Sequence, residues 1–265
     1  MKLNSKIIVV TGAGSGMGRQ LSLQLLRKGA RVAMADIRQE NLEETRSLAG
    51  KDGEKLSLHL VDISKKEQVE QFPSQVIEAH GNVDGIINNA GIIQPFIHVN
   101  ELDYEKIDRI MQINFYGALY MIKAFLPHLL QRPEAHIANV SSMGGFIPFP
   151  GQTIYGASKA AVKLLSEGLY AELKNTNVRV TVIHPGAVNT NISENSGVKL
   201  NIPAEGAKIP PMLQPDKAAE IMLDAIEKNK FRVMVGKDAR MLDILYRFNP
   251  RRAVDLITKK MSGLG

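Results

Sequence analysis

The 265-residue sequence contains no cysteine and no tryptophan, and only 5% of its residues are aromatic. Without cysteine the chain can form no disulfide, no thiolate nucleophile and no cysteine-ligated zinc site. The scarcity of aromatic side chains argues against a surface on which nucleic-acid bases stack. We therefore expect neither a metal site nor a nucleic-acid partner.

Long hydrophobic runs are also missing from the sequence. No segment approaches the roughly 18 uncharged apolar residues that a membrane-spanning helix needs. The first apolar run, Ile7 to Val10, is too short for the core of a signal peptide. The absence of cysteine fits a reducing compartment, so we expect a cytoplasmic protein.

The positive charge is concentrated at the end of the chain. The formal net charge is +6, and the segment from Phe231 to Gly265 contains eight Lys or Arg residues and three Asp residues. A basic amphipathic segment of this kind could lie on a membrane surface. Amphipathic helices more often face protein, so we rank packing on a second subunit or over the active site above membrane contact. The apolar residues concerned are Met241, Leu242, Ile244, Leu245 and Phe248.

Short β-branched runs alternate along the chain with longer segments of helical periodicity. The runs predict strands at Lys6–Thr11, Arg31–Asp36, Leu56–Val61, Val83–Asn88, His136–Val140, Val178–His184 and Phe231–Val235. This alternation predicts an α/β fold, a single-domain Rossmann-type doubly wound sheet of about seven parallel strands with helices on both faces. Residues 1–265 form one domain in this prediction, with a substrate lid at 189–215 and a helical extension at 237–265.

A glycine-rich segment, Thr11 to Gly18, stands between the first predicted strand and the first predicted helix. A tight turn there needs residues without a Cβ atom. A pyrophosphate can then approach the backbone and rest at the helix N-terminus, where N–H groups and the helix dipole attract anions. The alternative is a tight turn without a ligand. The position at the first strand–helix junction favours dinucleotide binding by Gly12, Ser15, Gly16, Met17 and Gly18.

Asp36 ends the second predicted strand, 18 residues after Gly18. A carboxylate there can accept hydrogen bonds from both ribose hydroxyls and would repel a 2′-phosphate, which favours NAD over NADP. Ser15 also favours NAD, because no basic residue stands in the glycine turn to bind a 2′-phosphate. Arg38 argues the other way, since it could reach over the ribose. The alternative for Asp36 is a helix N-cap.

Ser142, Tyr155 and Lys159 form the candidate chemical centre. Tyr155 and Lys159 are four residues apart at the start of a predicted helix and share one face. A free phenol has a pKa of about 10, and a nearby ammonium lowers that pKa, so Tyr155 could exchange a proton with an alcohol or ketone. Ser142 follows the fifth strand and could hydrogen-bond the substrate oxygen, with Ser141 as its competitor. The alternatives are a solvated helix face and an ordinary loop.

These residues, in this order, resemble the short-chain dehydrogenase/reductase family over roughly residues 5–235. The glycine turn headed by Thr11 and the Tyr155–Lys159 pair match two of its motifs. The other matching segments are Asp62–Ile63, Asn88–Gly91, Asn114, Ser142 and Pro185–Thr190.

The resemblance implies specific roles for further residues. Asn114 would kink its helix and hold a water in a proton relay through Lys159, and Lys159 would also bind the nicotinamide ribose. A homodimer or homotetramer, formed through two long helices, is also implied. The cofactor-binding residues implied are Asp62, Ile63, Asn89, Ala90, Gly91, Tyr155, Lys159, Pro185, Gly186, Val188 and Thr190.

The predicted function is an NAD(H)-dependent oxidoreductase whose small-molecule substrate is a secondary alcohol or ketone. The candidate substrate contacts beyond Ser142 and Tyr155 are apolar, so we expect a hydrophobic substrate. An NADPH-dependent carbonyl reductase is the nearest alternative. A dinucleotide-sensing regulator on the same fold is less favoured, because it would not need an intact Ser–Tyr–Lys set. The apolar candidates are Ile93, Phe146, Phe149 and Ile192.

Overall fold

Seven apolar segments of the chain pair side by side into one parallel sheet. The structure is a computed structural model, and it describes residues 1–198 and 212–261. The strand order is β3-β2-β1-β4-β5-β6-β7, with every pairing parallel. The strands are β1 (Ile7–Thr11), β2 (Arg31–Asp36), β3 (Leu56–Leu60), β4 (Gly85–Asn88), β5 (Ala135–Val140), β6 (Val178–Pro185) and β7 (Arg232–Val235).

Helices connect the strands and cover both faces of the sheet. The helices up to β5 are α1 (Gly16–Arg27), α2 (Gln39–Ala49), α3 (Lys66–His80), α4 (Tyr104–Met111) and α5 (Gly117–Leu129). The later ones are α6 (Thr153–Glu172), α7 (Ile192–Asn195), α8 (Pro215–Glu227), α9 (Lys237–Phe248) and α10 (Pro250–Met261). This is the predicted single-domain Rossmann-type fold, and the prediction is confirmed.

Two apolar layers hold the helices to the sheet. Strands β1, β4 and β5 are buried along their whole length, because neighbours flank them and helices cover both faces. Leu21, Leu25 and Met222 belong to the layer on one face, under α1 and α8. Phe72 and Phe125 meet edge to face in the layer on the other, under α3 and α5. The sheet therefore holds the loops that follow its strands in fixed positions.

The long helix predicted between β4 and β5 is divided into α4 and α5. A π-helical turn at Gln112–Tyr116 separates them, and it contains Asn114. The expected kink at Asn114 therefore takes the form of a turn with an i→i+5 pattern. Pro73 lies inside α3 and Pro127 inside α5, so neither proline ends its helix.

The chain after β7 folds back onto the main body. Leu242 of α9 and Ala253 and Ile257 of α10 form a third apolar cluster with Ile147. The predicted helical extension thus covers the segment that follows β5. Within residues 1–198 and 212–261, no helix is long and apolar enough to cross a membrane.

Strand order places a crevice at one edge of the sheet. The connections leave β1 toward β2 and later return to β4 on its other side, so the order reverses between β1 and β4. Ligands of open parallel sheets bind at such a reversal, beyond the carboxyl ends of the strands. Of the predicted lid at 189–215, residues 199–211 lie outside the described residues, while α7 and the pairing of Val188 with Leu213 are described.

Candidate active site

The turn after β1 leaves a helix N-terminus facing the crevice. Gly12 and Gly16 have positive φ angles of 64° and 50°, which glycine adopts without strain. Ser15 occupies the N-cap of α1 but makes no capping hydrogen bond with its side chain. A Cβ atom on Gly18 would lie 1.9 Å from the carbonyl oxygen of Gly12, so only glycine permits this close helix–strand contact.

Thr11 joins the glycine turn to the turn after β4. Its hydroxyl accepts hydrogen bonds from the backbone N–H groups of Asn89 and Ala90, at 3.0 and 3.1 Å. The Asn89 side chain donates in return to the Thr11 carbonyl at 3.0 Å. The two turns therefore form one rigid wall of the crevice.

The crevice contains a cavity of about 570 Å³, which most of the predicted cofactor residues line. Asp62, Ile63, Asn89, Ala90, Gly91 and Thr190 are among these lining residues, with Gly12, Ser15, Gly16, Met17, Asp36 and Arg38. Six predicted cofactor residues do not line it, namely Gly18, Tyr155, Lys159, Pro185, Gly186 and Val188. The residues lining it that the sequence did not indicate include Asn41, Asp108, Arg109, Gln112, Asn191 and Asn195.

Asp36 lies at the end of β2 with its carboxylate on the cavity wall. It accepts a hydrogen bond from the Gly14 N–H at 3.0 Å and another from the Arg38 N–H at 3.2 Å. Arg38 itself occupies the N-cap position of α2, so the alternative reading of Asp36 as that cap is wrong. These two hydrogen bonds fix the carboxylate on the cavity wall.

Asn195, on α7, bridges the two sides of the cavity. Its amide nitrogen donates to the Ser15 hydroxyl at 2.9 Å, and its oxygen accepts from the Arg38 guanidinium at 3.2 Å. The Arg38 side chain is thus already engaged. No spacing rule in the sequence pointed to Asn195, because its two partners precede it by more than 150 positions.

Ser142, Tyr155 and Lys159 come together beyond the ends of β5 and β6. The Ser142 hydroxyl hydrogen-bonds the Tyr155 side chain and accepts from the Gly144 N–H at 3.0 Å. The Lys159 ammonium donates to the Val140 carbonyl at 3.0 Å and lies 6.0 Å from the centre of the Tyr155 ring. Ser141 points elsewhere, since its hydroxyl donates to the Lys159 carbonyl.

Burial controls the proton affinities of this group. It raises the pKa of the Tyr155 phenol above its ordinary value, and the hydrogen bond with Ser142 opposes that rise. Burial also lowers the pKa of Lys159 to about 8. The expectation that Lys159 lowers the pKa of Tyr155 is wrong for the chain alone, because withdrawal from water destabilises both charged forms.

Gln94 fixes the start of the helix that carries Tyr155. This fully buried side chain accepts hydrogen bonds from the N–H groups of Ile154 and Tyr155, at 2.8 and 3.0 Å. It also donates to the Gly151 carbonyl at 2.7 Å. The sequence analysis missed this residue, although an amide directly after two isoleucines and before a proline is an unusual position for a polar group.

Asn114 links the π turn to the same helix. Its amide accepts from the Ile92 N–H at 2.8 Å and donates to the Ile92 carbonyl at 2.9 Å and to the Ser158 hydroxyl at 3.0 Å. A Cβ atom on Gly91 would lie 3.0 Å from the Lys159 nitrogen and 3.1 Å from the Asn114 oxygen. Gly91 therefore allows these two polar groups to approach the same point.

The predicted substrate residues divide into two groups. Ile192 lines the cavity, and the N–H of Ile93 donates to the Ser196 hydroxyl at 3.0 Å. Phe146 and Phe149 pack against the third apolar cluster, under α9 and α10, and neither lines the cavity. Both side chains are only partly buried, so their assignment as substrate contacts stays a prediction.

The segment after β6 is attached to α9. Asp238 accepts a hydrogen bond from the Ala187 N–H at 2.7 Å, and a Cβ atom on Gly186 would collide with its carboxylate. Gly186 thus makes room for Asp238. The extension at the end of the chain consequently fixes the backbone that leads into α7.

Comparison with known proteins agrees with this geometry. Residues 6–201 match the family model described as short chain dehydrogenase. A Mycobacterium tuberculosis protein named as an oxidoreductase, SadH, is 34% identical over 254 residues, covering 91% of this chain and 90% of the relative.

Solved structures of similar fold carry either nicotinamide dinucleotide. A short-chain dehydrogenase/reductase from Burkholderia phymatum in complex with NAD has a TM-score of 0.86 at 26% identity, over 95% of this chain and 96% of that one. A short-chain dehydrogenase from Burkholderia cenocepacia in complex with NADP has a TM-score of 0.82 at 28% identity, over 97% and 99%.

Proposed function

This chain belongs to the short-chain dehydrogenase family, and from that premise we propose that it is an NAD(H)-dependent oxidoreductase interconverting a secondary alcohol and a ketone. The observation that supports this most strongly is the grouping of Ser142, Tyr155 and Lys159, which meets the cavity at Gly91, a lining residue next to the Lys159 nitrogen. A sheet-edge cavity, an uncapped helix N-terminus and glycines that leave room for a ligand suit a dinucleotide.

The proton chemistry belongs to the chain's own residues. Tyr155 takes the hydroxyl proton of an alcohol, or returns it to a ketone, while Ser142 donates a hydrogen bond to the same oxygen. The dinucleotide, when bound, exchanges a hydride with the carbon that bears this oxygen. The N-terminus of α6 favours the phenolate and so opposes the burial that raises the pKa of Tyr155.

NAD is the cofactor we propose, because Asp36 presents a fixed carboxylate to the ribose. NADPH is the second candidate, and one observation favours it: the Arg38 guanidinium also lines the cavity. The hydrogen bond between Arg38 and Asn195 holds that guanidinium on α7, which weighs against its use for a 2′-phosphate.

We propose a hydrophobic substrate, held by Ile93 and Ile192 next to Ser142 and Tyr155. The segment 189–215 acts as its lid, and α7 is the described part that already reaches across the cavity. A homodimer or homotetramer in the cytoplasm completes this proposal.

Replacing Tyr155 with phenylalanine tests the mechanism. We expect Tyr155→Phe to lower kcat by a factor of about 100 to 10,000 and to leave NADH binding unchanged, because only the proton carrier is lost. Turnover is followed as NADH absorbance with NAD and a panel of secondary alcohols, and binding as NADH fluorescence. Tyr104→Phe is the matched control, since that tyrosine is 84% exposed. Undiminished turnover by Tyr155→Phe refutes the mechanism.

A further inference from the structure

The outward side of α9 is a stripe of apolar and cationic side chains. Met241, Ile244 and Phe248 are 50%, 49% and 85% exposed, at helical spacings of three and four. Lys237, Arg240 and Arg247 are exposed on the same side of the helix. We call these six residues the α9 outer face, and Arg251 and Arg252 extend its charge at the exposed start of α10.

Both acidic residues of α9 have partners, and only Asp243 contacts a member of the α9 outer face. Asp238 accepts a hydrogen bond from the Ala187 N–H. Asp243 forms ion pairs with Arg232, at 2.8 Å, and with Arg247, at 3.2 Å. The α9 outer face therefore combines large apolar groups with positive charge and contains no carboxylate.

We propose that the α9 outer face is a peripheral docking surface for an anionic lipid bilayer. Apolar side chains among basic ones are the pattern of helices that lie in the membrane interface. There the apolar side chains contact the lipid tails, and the basic side chains bind the anionic headgroups. The helix has 12 residues and is thus about 18 Å long, too short to cross the roughly 30 Å hydrocarbon layer. It lies along the surface instead.

Charge argues against a second copy of the chain as the occupant. A two-fold contact sets the same patch of both subunits face to face. Here that contact would bring Arg240 and Arg247 toward the same cations of the partner, which costs free energy. Anionic headgroups supply the opposite sign, so the charge of this face is complementary to a lipid surface.

The inward side of the same helix is close to the proposed chemistry. It packs with Phe146 and Phe149, a few residues after Ser142, and Asp238 fixes the segment that leads to α7. Docking would hold the substrate entrance near a phase into which hydrophobic alcohols partition. This consequence rests on the proposed function, whereas the docking surface itself does not.

Co-sedimentation with vesicles tests the proposal on the full chain. We expect the protein to sediment with vesicles of phosphatidylcholine mixed equally with phosphatidylglycerol, not with phosphatidylcholine alone, and salt should weaken the association. Ile244→Ser/Phe248→Ser and Arg240→Glu should each reduce binding roughly tenfold or more. Leu48→Ser/Lys51→Glu is the matched control, since it removes an exposed apolar group and reverses a charge at the far end of α2.

Several outcomes overturn the proposal. These are no sedimentation with either vesicle, equal sedimentation with both, or equal loss in the control variant. A mass that falls on light scattering with the α9 variants, without any vesicle binding, would assign the face to a second copy instead. Circular dichroism checks that each variant is folded. Vesicle binding by a chain that cannot bind NADH would retain the docking surface and reject the proposed function.

Discussion

Asp36→Asn should shift the dinucleotide preference of this protein from NADH toward NADPH. The substitution removes one negative charge from the cavity wall and keeps the shape of the side chain and one of its two acceptor oxygens. The carboxylate now accepts from the N–H groups of Gly14 and Arg38 and lines the cavity proposed for the dinucleotide. Replacing it tests charge at that position with little change of volume.

Two contributions set the size of this shift. A hydrogen bond to a charged acceptor contributes about 1.5 to 3 kcal/mol, and a neutral amide about 1 kcal/mol less. A 2′-phosphate with two charges about 5 Å from a carboxylate is repelled by roughly 1.5 kcal/mol at the dielectric constant of water. Together they change the relative affinity by about 2 to 3 kcal/mol, or roughly 30- to 150-fold.

The assay is fluorescence titration of the protein with NADH and with NADPH. Asp255→Asn is the control, because it removes the same charge from an exposed position on α10. We expect the ratio of the two dissociation constants to move only for Asp36→Asn. An unchanged ratio, or an equal change in the control, would refute the role given to this carboxylate.

Three further outcomes follow from the geometry. Gly18→Ala should destabilise the fold by several kcal/mol and abolish NADH binding, because the added Cβ would lie 1.9 Å from a carbonyl oxygen. Gly168→Ala, at a position with open space around it, should instead stabilise α6 by about 0.5 to 1 kcal/mol. Urea unfolding measures both changes. Burial lowers the pKa of His136 to about 3 and that of His184 to about 4, so the unfolded chain binds more protons below pH 6.5. The free energy of unfolding should therefore fall between about pH 6.5 and pH 4, and a flat profile would contradict this. Asn195→Ala should raise the NADH dissociation constant by up to about thirtyfold, because two hydrogen bonds of about 1 kcal/mol each that hold α7 over the cavity are lost. Unchanged affinity would show that α7 does not close the site.

The sequence was most informative where chemistry depends on local spacing. The glycine turn, Asp36 and the Tyr155–Lys159 pair each lie within or next to a single strand–helix junction, and all are where the periodicity placed them. The strand limits agree within two residues, because buried parallel strands are continuous apolar runs.

Long-range polar contacts were not predictable in this way. Gln94 and Asn195 act on residues far from them in the chain, and neither has a local pattern that distinguishes it from a loop amide. The packing of Phe146 under the C-terminal helices was not predictable either, because these neighbours come from the end of the chain. The pKa of Tyr155 depended on burial, which spacing does not reveal.

The π turn at Gln112–Tyr116 makes the residue count of this region a structural constraint. Such a turn contains one residue more than an α-helical turn. Deleting one residue there would leave an ordinary α-helical turn, so α4 and α5 would keep their faces while the residues within the turn would change theirs. Asn114 would then lose its hydrogen bonds with Ile92. The chain should therefore accept changed side chains on the exposed side of α4 far more readily than a shortened helix.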